Sequence, residues 1–195
     1  MSPDSKTIRT FVAIQLPEGV RAALRAVQSA LRPLLPHNSM AWARPENMHL
    51  TLRFLGGLDP ARLPELRSRL RTALAGLGSL ELVCERLGCF PDLRFPRVVW
   101  AWVHDADERL LEMHRRVNAT VAGFAEKPPE ARFVGHVTLA RPKQIKRAEA
   151  ERLAGFVERA VGRGFGIWTC CEVELIQSEL SPAGNRYTTL DAFRL

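Results

Sequence analysis

The sequence lacks several features that would place it outside the ordinary soluble proteins. No apolar run approaches the roughly 18 residues that a membrane-spanning helix needs, and the opening MSPDSKTIR has no apolar core of a signal peptide. None of the 4 cysteines belongs to a C-x-x-C pair, so zinc-ribbon spacing is absent. These absences predict a cytoplasmic protein with reduced cysteines and no membrane segment.

Lysine is also scarce, so arginine supplies almost all of the positive charge. The chain has 195 residues, 28 of them Lys or Arg, and a formal net charge of +7. A chain of this length is typically one domain with a single core. The charge favours an anionic partner, nucleic acid first, and arginine forks suit phosphate. Arginines that only solvate helix faces would give the same composition, so charge alone leaves both interpretations open.

Apolar periodicity predicts an α+β protein. An amphipathic period of 3.6 residues predicts helices over 18–34, 63–77, 110–124 and 153–160. Alternation or short apolar runs predict strands over 10–17, 49–56, 80–87, 97–103, 133–141, 171–180 and 187–195. The glycine-rich segment GRGFG (162–166) follows a helix instead of opening one, so it is not interpreted as a phosphate loop.

Two strands carry the same polar pattern, NMHLTLRFLG and GHVTLAR, each within a strand–helix–strand–helix unit. This repetition predicts an internal duplication within a single domain, residues 1–195, whose two lobes face each other across a cleft. Side chains alternate along a strand, so His49, Thr51 and Arg53 should share one face. By the same rule His136 and Thr138 share a face.

The two histidine–threonine pairs suit acid–base chemistry at phosphorus. Two imidazoles with pKa values near 6.5 can serve as one general acid and one general base. Threonine hydroxyls can hold the non-bridging phosphate oxygens. A single histidine in a strand is more often structural, and it is the repetition that favours function. A metal site is the other alternative, but H-x-T places a hydroxyl where a second ligand would belong.

The motif set resembles that of the 2H phosphoesterases, and most closely the RNA 2′,3′-cyclic phosphodiesterase branch, also called 2′-5′ RNA ligases. HLTL and HVTL carry the resemblance together with RTFVAIQLP, CFPDLRFPRVVW, GHVTLARPK and ELIQSELSPAGNRYTTL, which span nearly the whole chain. One departure is Gly135, where many relatives have proline. The resemblance implies a bilobal LigT-like fold of two pseudo-symmetric lobes, with antiparallel sheet, outer helices and the active site in the central cleft.

The resemblance also implies an activity and roles for residues. It implies hydrolysis of an RNA terminal 2′,3′-cyclic phosphate to a 2′-phosphomonoester, with His49 as proton donor and His136 as proton acceptor. Thr51 and Thr138 would hold the phosphate, without metal or nucleotide cofactor. ATP-independent 2′-5′ ligation would run the same chemistry backwards. A monomer is expected.

Three further residues are candidates for substrate binding. Arg53 shares the predicted face of His49, and Tyr187 could stack on a base. Arg141 could bind phosphate, although strict alternation places it opposite His136 unless the strand bulges. Two alternative functions stay open: an RNA-end-binding module without turnover, and a phosphodiesterase for a small cyclic phosphate such as ADP-ribose 1″,2″-cyclic phosphate.

Overall fold

The fold is known from a computed structural model, which describes residues 7–129, 132–181 and 184–195. Pro182 and Ala183 of the C-terminal motif segment lie outside these ranges. The described strands are β1 (Ile8–Gln15), β2 (Met40–Trp42), β3 (His49–Leu58), β4 (Leu80–Phe90), β5 (Val98–His104), β6 (His136–Pro142), β7 (Gly164–Cys170), β8 (Glu172–Ser181) and β9 (Gly184–Arg194). The described α-helices are α1 (Glu18–Leu31), α2 (Leu63–Leu74), α3 (Arg109–Val121) and α4 (Arg147–Arg159).

All strand pairs are antiparallel and form one curled sheet in the order β7-β4-β5-β6-β3-β1-β8-β9, with the short β2 beside β6. The order reads as two four-stranded halves, each ending at the centre in a motif strand. The halves join at the pair Leu50–Val137 between β3 and β6. This confirms the predicted α+β class and the facing halves, which share one sheet. The internal duplication stays a prediction that this order supports.

The helices cover the convex face of the sheet. Helices α2 and α3 pack behind β9 and β3, while α1 and α4 pack behind β7 and β4. The main core between sheet and helices includes Leu52 and Leu139 of the motif strands. Because one face of every motif strand is held in this core, its polar residues are left on the concave face. A small second cluster of Phe11, Ala13 and Ile176 lies there.

Two strands were not predicted, β2 and β7. Strand β7 contains part of the segment GRGFG, whose glycines hide its strand character. Gly166 has φ of +143°, and a Cβ there would lie 2.8 Å from a methyl of Val20 on α1. Glycine therefore allows this edge strand to approach α1 closely.

Candidate active site

The two motif histidines open the two central strands and are held in the same way. The Nδ1 of His49 lies 2.8 Å from the carbonyl oxygen of Asn47, and the Nδ1 of His136 lies 2.7 Å from that of Val134. A carbonyl oxygen only accepts, so each Nδ1 carries the hydrogen and donates it. Each Nε2 is thereby left as the nitrogen that can exchange a proton with a substrate.

Aromatic side chains fix the orientation of both imidazoles. The ring centroid of His49 lies 4.7 Å from that of Phe11 and 5.4 Å from that of Tyr187, which meets it edge-on. The ring of His136 meets Phe90 edge-on at 5.0 Å and Trp100 at 6.3 Å. Each histidine is therefore half-buried against a pair of aromatic rings.

Burial also sets the protonation of His49. Desolvation lowers its pKa below the ordinary value of 6.5, and the charge of His136 lowers that pKa further. The hydrogen bond to Asn47 opposes both effects without overcoming them. In the free protein at neutral pH, His49 is therefore mainly neutral, and an anion between the two imidazoles would favour its protonated form.

The predicted threonines lie on the same face as their histidines. Thr51 is opposite Ala13 of the concave-face cluster, and Thr138 is opposite Trp100. Both are half-buried, and within the described ranges neither hydroxyl makes a hydrogen bond. Two hydroxyls with unused donors therefore lie on the same face of the sheet as the two imidazoles.

Alternation breaks one residue after each threonine. In β3, Ala13 pairs with Thr51 and Val12 pairs with Arg53, so Leu52 is unpaired. Such a bulge shifts the residues that follow to the opposite face, here as far as the next irregularity at Leu55. The prediction that Arg53 shares the face of His49 is therefore wrong.

Arg53 lies on the convex side instead. It is 8% exposed, and its guanidinium donates a hydrogen bond to the carbonyl oxygen of Lys127. Its charge also contributes to the low pKa of His114 on α3. Arg53 therefore belongs to the contacts between β3 and the elements behind it.

The same bulge brings Phe54 to the concave face, although strict alternation would place it on the face opposite His49. Phe54 pairs with Phe11, their ring centroids are 5.6 Å apart, and the Phe54 side chain is 59% exposed. Phe11 itself is only 1% exposed and cannot offer a ring face to a ligand. Phe54 is thus an exposed aromatic ring on an apolar floor beside His49.

A matching bulge in β6 decides the position of Arg141. Trp100 pairs with Thr138 and Val99 pairs with Ala140, which leaves Leu139 unpaired. Arg141 follows Ala140 and therefore lies on the same face as Thr138, exposed to solvent. The bulge on which the position of Arg141 depended is present, and it places this cation on the concave side.

The buried cysteine thiols are not suited to catalysis. Burial raises the pKa of the thiols of Cys84 and Cys89 to about 12 and that of Cys170 to about 11, which keeps them protonated. Within the described ranges, no group of three His, Cys, Asp or Glu side chains could hold a metal ion. None of the described helices has the length and apolar character needed to cross a bilayer.

Comparison with known proteins agrees with this geometry. The family model described as LigT like Phosphoesterase matches residues 14–100 and 102–187. The chain belongs to the LigT-like phosphoesterase family. The family assignment made from the paired motifs, and with it the assignment to a class of enzymes, is confirmed.

Relatives of this LigT-like chain cover nearly all of it. An RNA 2′,3′-cyclic phosphodiesterase of Methanothermobacter thermautotrophicus is 30% identical, over 96% of this chain and 99% of the relative. One of Thermus thermophilus is 34% identical, over 96% of this chain and 90% of the relative.

Solved structures agree on the fold. A crystal structure of a Thermus thermophilus protein has 29% identity and a TM-score of 0.78, covering 96% of this chain and 98% of that one. LigT of Escherichia coli, in complex with 3′-AMP, has 22% identity and a TM-score of 0.75, covering 97% of this chain and 99% of that one. The latter likeness concerns the fold alone.

Proposed function

We propose that this LigT-like phosphoesterase hydrolyses RNA 2′,3′-cyclic phosphate ends to 2′-phosphomonoesters, with His49 as general acid and His136 as general base. The observation that carries the proposal is the matched anchoring of the two histidines. Each donates its Nδ1 hydrogen to the carbonyl two residues earlier, on neighbouring central strands. The names of the relatives support RNA cyclic phosphate as the substrate.

The reaction needs a proton acceptor and a proton donor on opposite sides of phosphorus. The Nε2 of His136 takes a proton from water as the water oxygen bonds to phosphorus. The bond from phosphorus to the 3′ oxygen breaks, and the protonated Nε2 of His49 gives that oxygen its hydrogen. The product carries a 2′-phosphate and a free 3′-hydroxyl, and each histidine ends in the other's protonation state.

The low pKa of His49 in the free protein fits this scheme when the substrate is included. A cyclic phosphate is an anion, and it would stand between the two imidazoles. Its charge favours the protonated form of His49 and offsets the effects of burial and of His136. The charges of the two histidines therefore influence each other, and the bound substrate favours the state in which His49 carries the proton.

The side chains around the histidines supply substrate contacts. Thr51 and Thr138 have hydroxyls with no other partner in the described chain, suited to non-bridging oxygens. Arg141 adds a positive charge on the His136 side. On the His49 side Phe54 offers its ring to the nucleobase of the terminal nucleotide, and Tyr187 packs against His49 and Phe11. With the base on Phe54, the nucleoside and its leaving 3′ oxygen would lie beside His49.

The test is product analysis on an oligoribonucleotide ending in a 2′,3′-cyclic phosphate. The wild-type protein should form the 2′-phosphate product, and His49→Ala and His136→Ala should each lower the rate by about a hundredfold or more. His37→Ala, which removes an exposed histidine, is the matched control. Unchanged rates in both motif variants would contradict the proposed roles.

Further arms of the same experiment separate the alternatives. Tight binding of the cyclic end without product would indicate a binding module. A large preference for ADP-ribose 1″,2″-cyclic phosphate over the oligonucleotide would indicate a small-molecule enzyme. The scheme uses no metal ion, so we expect the rate to be the same with and without EDTA.

A further inference from the structure

The loop between β4 and β5, residues 91–97, begins beside the catalytic base. Phe90, the last residue of β4, touches the ring of His136 edge-on at 5.0 Å. The amide of Arg97 donates to the carbonyl of Phe90 at 2.7 Å, which closes the loop at its base. Whatever binds this loop therefore lies on the His136 side of the cleft.

Internal hydrogen bonds and apolar contacts hold the loop in place. The Asp92 carboxylate accepts hydrogen bonds from the amides of Arg94 and Phe95 at 2.8 and 2.9 Å. Leu93 packs against the main core and Pro96 is buried. These contacts give the loop one conformation without using its remaining side chains.

The side chains left over form a surface suited to nucleic acid. Phe95 is 70% exposed, although Leu93 and Pro96 already anchor the loop. Arg94 and Arg97 flank it in the sequence and are exposed, and neither side chain makes an ion pair or hydrogen bond within the described ranges. An exposed aromatic ring can stack on an unpaired base, and unpaired cations in the same loop can neutralise neighbouring phosphates.

We propose that this loop binds the RNA strand whose 5′-hydroxyl takes the place of water in the ligation reaction. The inference rests on the proposed function, in which the nucleophile enters beside His136. Water needs no extended surface there, whereas a 5′-hydroxyl brings nucleotides that must lie on the protein next to His136. The nucleoside that carries the cyclic phosphate lies on the other side, beside His49 and Phe54.

The bonds balance as in hydrolysis. His136 takes the hydrogen of the 5′-hydroxyl as its oxygen bonds to phosphorus, the bond to the 3′ oxygen breaks, and His49 protonates that oxygen. The product is a 2′-5′ phosphodiester with a free 3′-hydroxyl. The cyclic phosphate supplies the activated bond, so no further reactant is required.

The experiment compares Phe95→Ala and Arg94→Ala with the wild-type protein in three assays. The first is hydrolysis of a mononucleoside 2′,3′-cyclic phosphate, the second hydrolysis of an oligonucleotide with the same end, and the third joining of that oligonucleotide to a 5′-hydroxyl strand. Leu180→Ala, which removes a similarly exposed apolar side chain from β8, is the matched control. Anisotropy of a labelled 5′-hydroxyl strand without cyclic phosphate measures binding directly.

We expect Phe95→Ala to weaken binding of the 5′-hydroxyl strand and its joining about tenfold, with both hydrolysis rates unchanged. Arg94→Ala should weaken the same two readouts and reduce their salt dependence. If Phe95→Ala lowered the rates of oligonucleotide hydrolysis and of joining by the same factor, the inference would be overturned. The loop would then hold the strand that bears the cyclic phosphate. Unchanged binding and joining would also overturn it and would favour a protein as the partner of Phe95. If the wild-type protein hydrolysed no cyclic phosphate, the proposed function itself would fail.

Discussion

Phe54 and Arg141 occupy matching positions on the two motif strands, each two residues beyond an unpaired leucine. The bulge at Leu52 turns Phe54 to the concave face, and the bulge at Leu139 does the same for Arg141. The two halves of the sheet therefore place an aromatic ring on one side of the histidines and a cation on the other. A symmetric scaffold thus carries an asymmetric site, as an asymmetric substrate requires.

The two arginines of the motif strands should behave differently. Arg141→Ala removes an exposed cation from the concave face and should lower kcat/KM for the cyclic phosphate about tenfold to hundredfold with little change in Tm. Arg53→Met removes a buried group that bonds Lys127 and should lower stability by ~1–3 kcal/mol. Thermal unfolding and steady-state kinetics of both variants check this. A larger kinetic defect in the folded Arg53 variant than in the Arg141 variant would contradict the assigned faces.

Phe54→Ala should act on substrate binding. Loss of one stacking surface for the base should raise KM for a cyclic mononucleotide about tenfold and leave kcat nearly unchanged. The matched control is Ile167→Ala on edge strand β7, which removes another exposed apolar side chain. Equal KM values for Phe54→Ala and the wild-type protein would mean that the base lies elsewhere.

The sequence predicts the site well up to the two threonines and fails directly beyond them. Alternation holds from His49 to Thr51 and from His136 to Thr138 because each strand has one face in the core. A bulge adds a residue without changing composition, so strict alternation assigned Arg53 to the wrong face. A signal was present in the spacing of the apolar residues: Leu50 and Leu52 are two apart, whereas the next buried leucine is Leu55.

The helices and most strands were predictable because amphipathic periods and apolar runs report which face is buried. Strand β7 was not, since Gly164 and Gly166 remove the side chains that carry the alternation. The facing of the two halves was inferred from the repeated motif, but the direct pairing of β3 with β6 was not predicted. Pairing between strands that are distant in the sequence depends on the whole sheet, so the residues of one short segment do not reveal it.

Gly135 is the residue that allows His136 to enter the cleft beside β5. Its carbonyl accepts from the Val103 amide at 2.8 Å, and a Cβ at this position would lie 2.3 Å from the Val103 carbonyl oxygen. Gly135→Ala should therefore cost about 1–3 kcal/mol of stability and lower kcat, because the backbone that holds His136 must move. Thermal unfolding and single-turnover kinetics measure the two effects.

Gly19 offers the matched control for that substitution. It lies in α1, and a Cβ there would have no atom within 4 Å. Gly19→Ala should raise stability by ~0.5–1 kcal/mol without affecting turnover. If Gly135→Ala were as well tolerated, the close approach to Val103 would not constrain the site.

His114, which lies behind β3, should make the stability of the folded protein sensitive to acid. Burial, and then the charges of Arg53 and Arg115, lower its pKa from 6.5 to about 4. The folded state thus disfavours the proton that the unfolded chain binds below pH 6.5, so stability is complete above pH 6.5 and falls as the pH drops toward 4. His114→Gln does not titrate, and its Tm should decline less over this range. Parallel declines in both proteins would assign the acid sensitivity to other groups.

The protonation of His49 predicts how the pH profile shifts on substrate binding. The general acid must be protonated, and in the free protein burial and His136 hold the pKa of His49 below 6.5. As the pH rises, kcat/KM should therefore begin to fall below pH 6.5, whereas the fall of kcat should occur at higher pH because the bound phosphate raises that pKa.

Titration of the His49 ring by NMR tests the same electrostatics without turnover. Its apparent pKa should rise when inorganic phosphate is added, and it should also rise in His136→Ala, since that variant removes a positive neighbour. Tyr187→Phe keeps the ring beside His49 and serves as the control. A pKa unaffected by both phosphate and His136→Ala would show that the two imidazoles do not act as a coupled pair, and the assignment of one acid and one base would lose its physical basis.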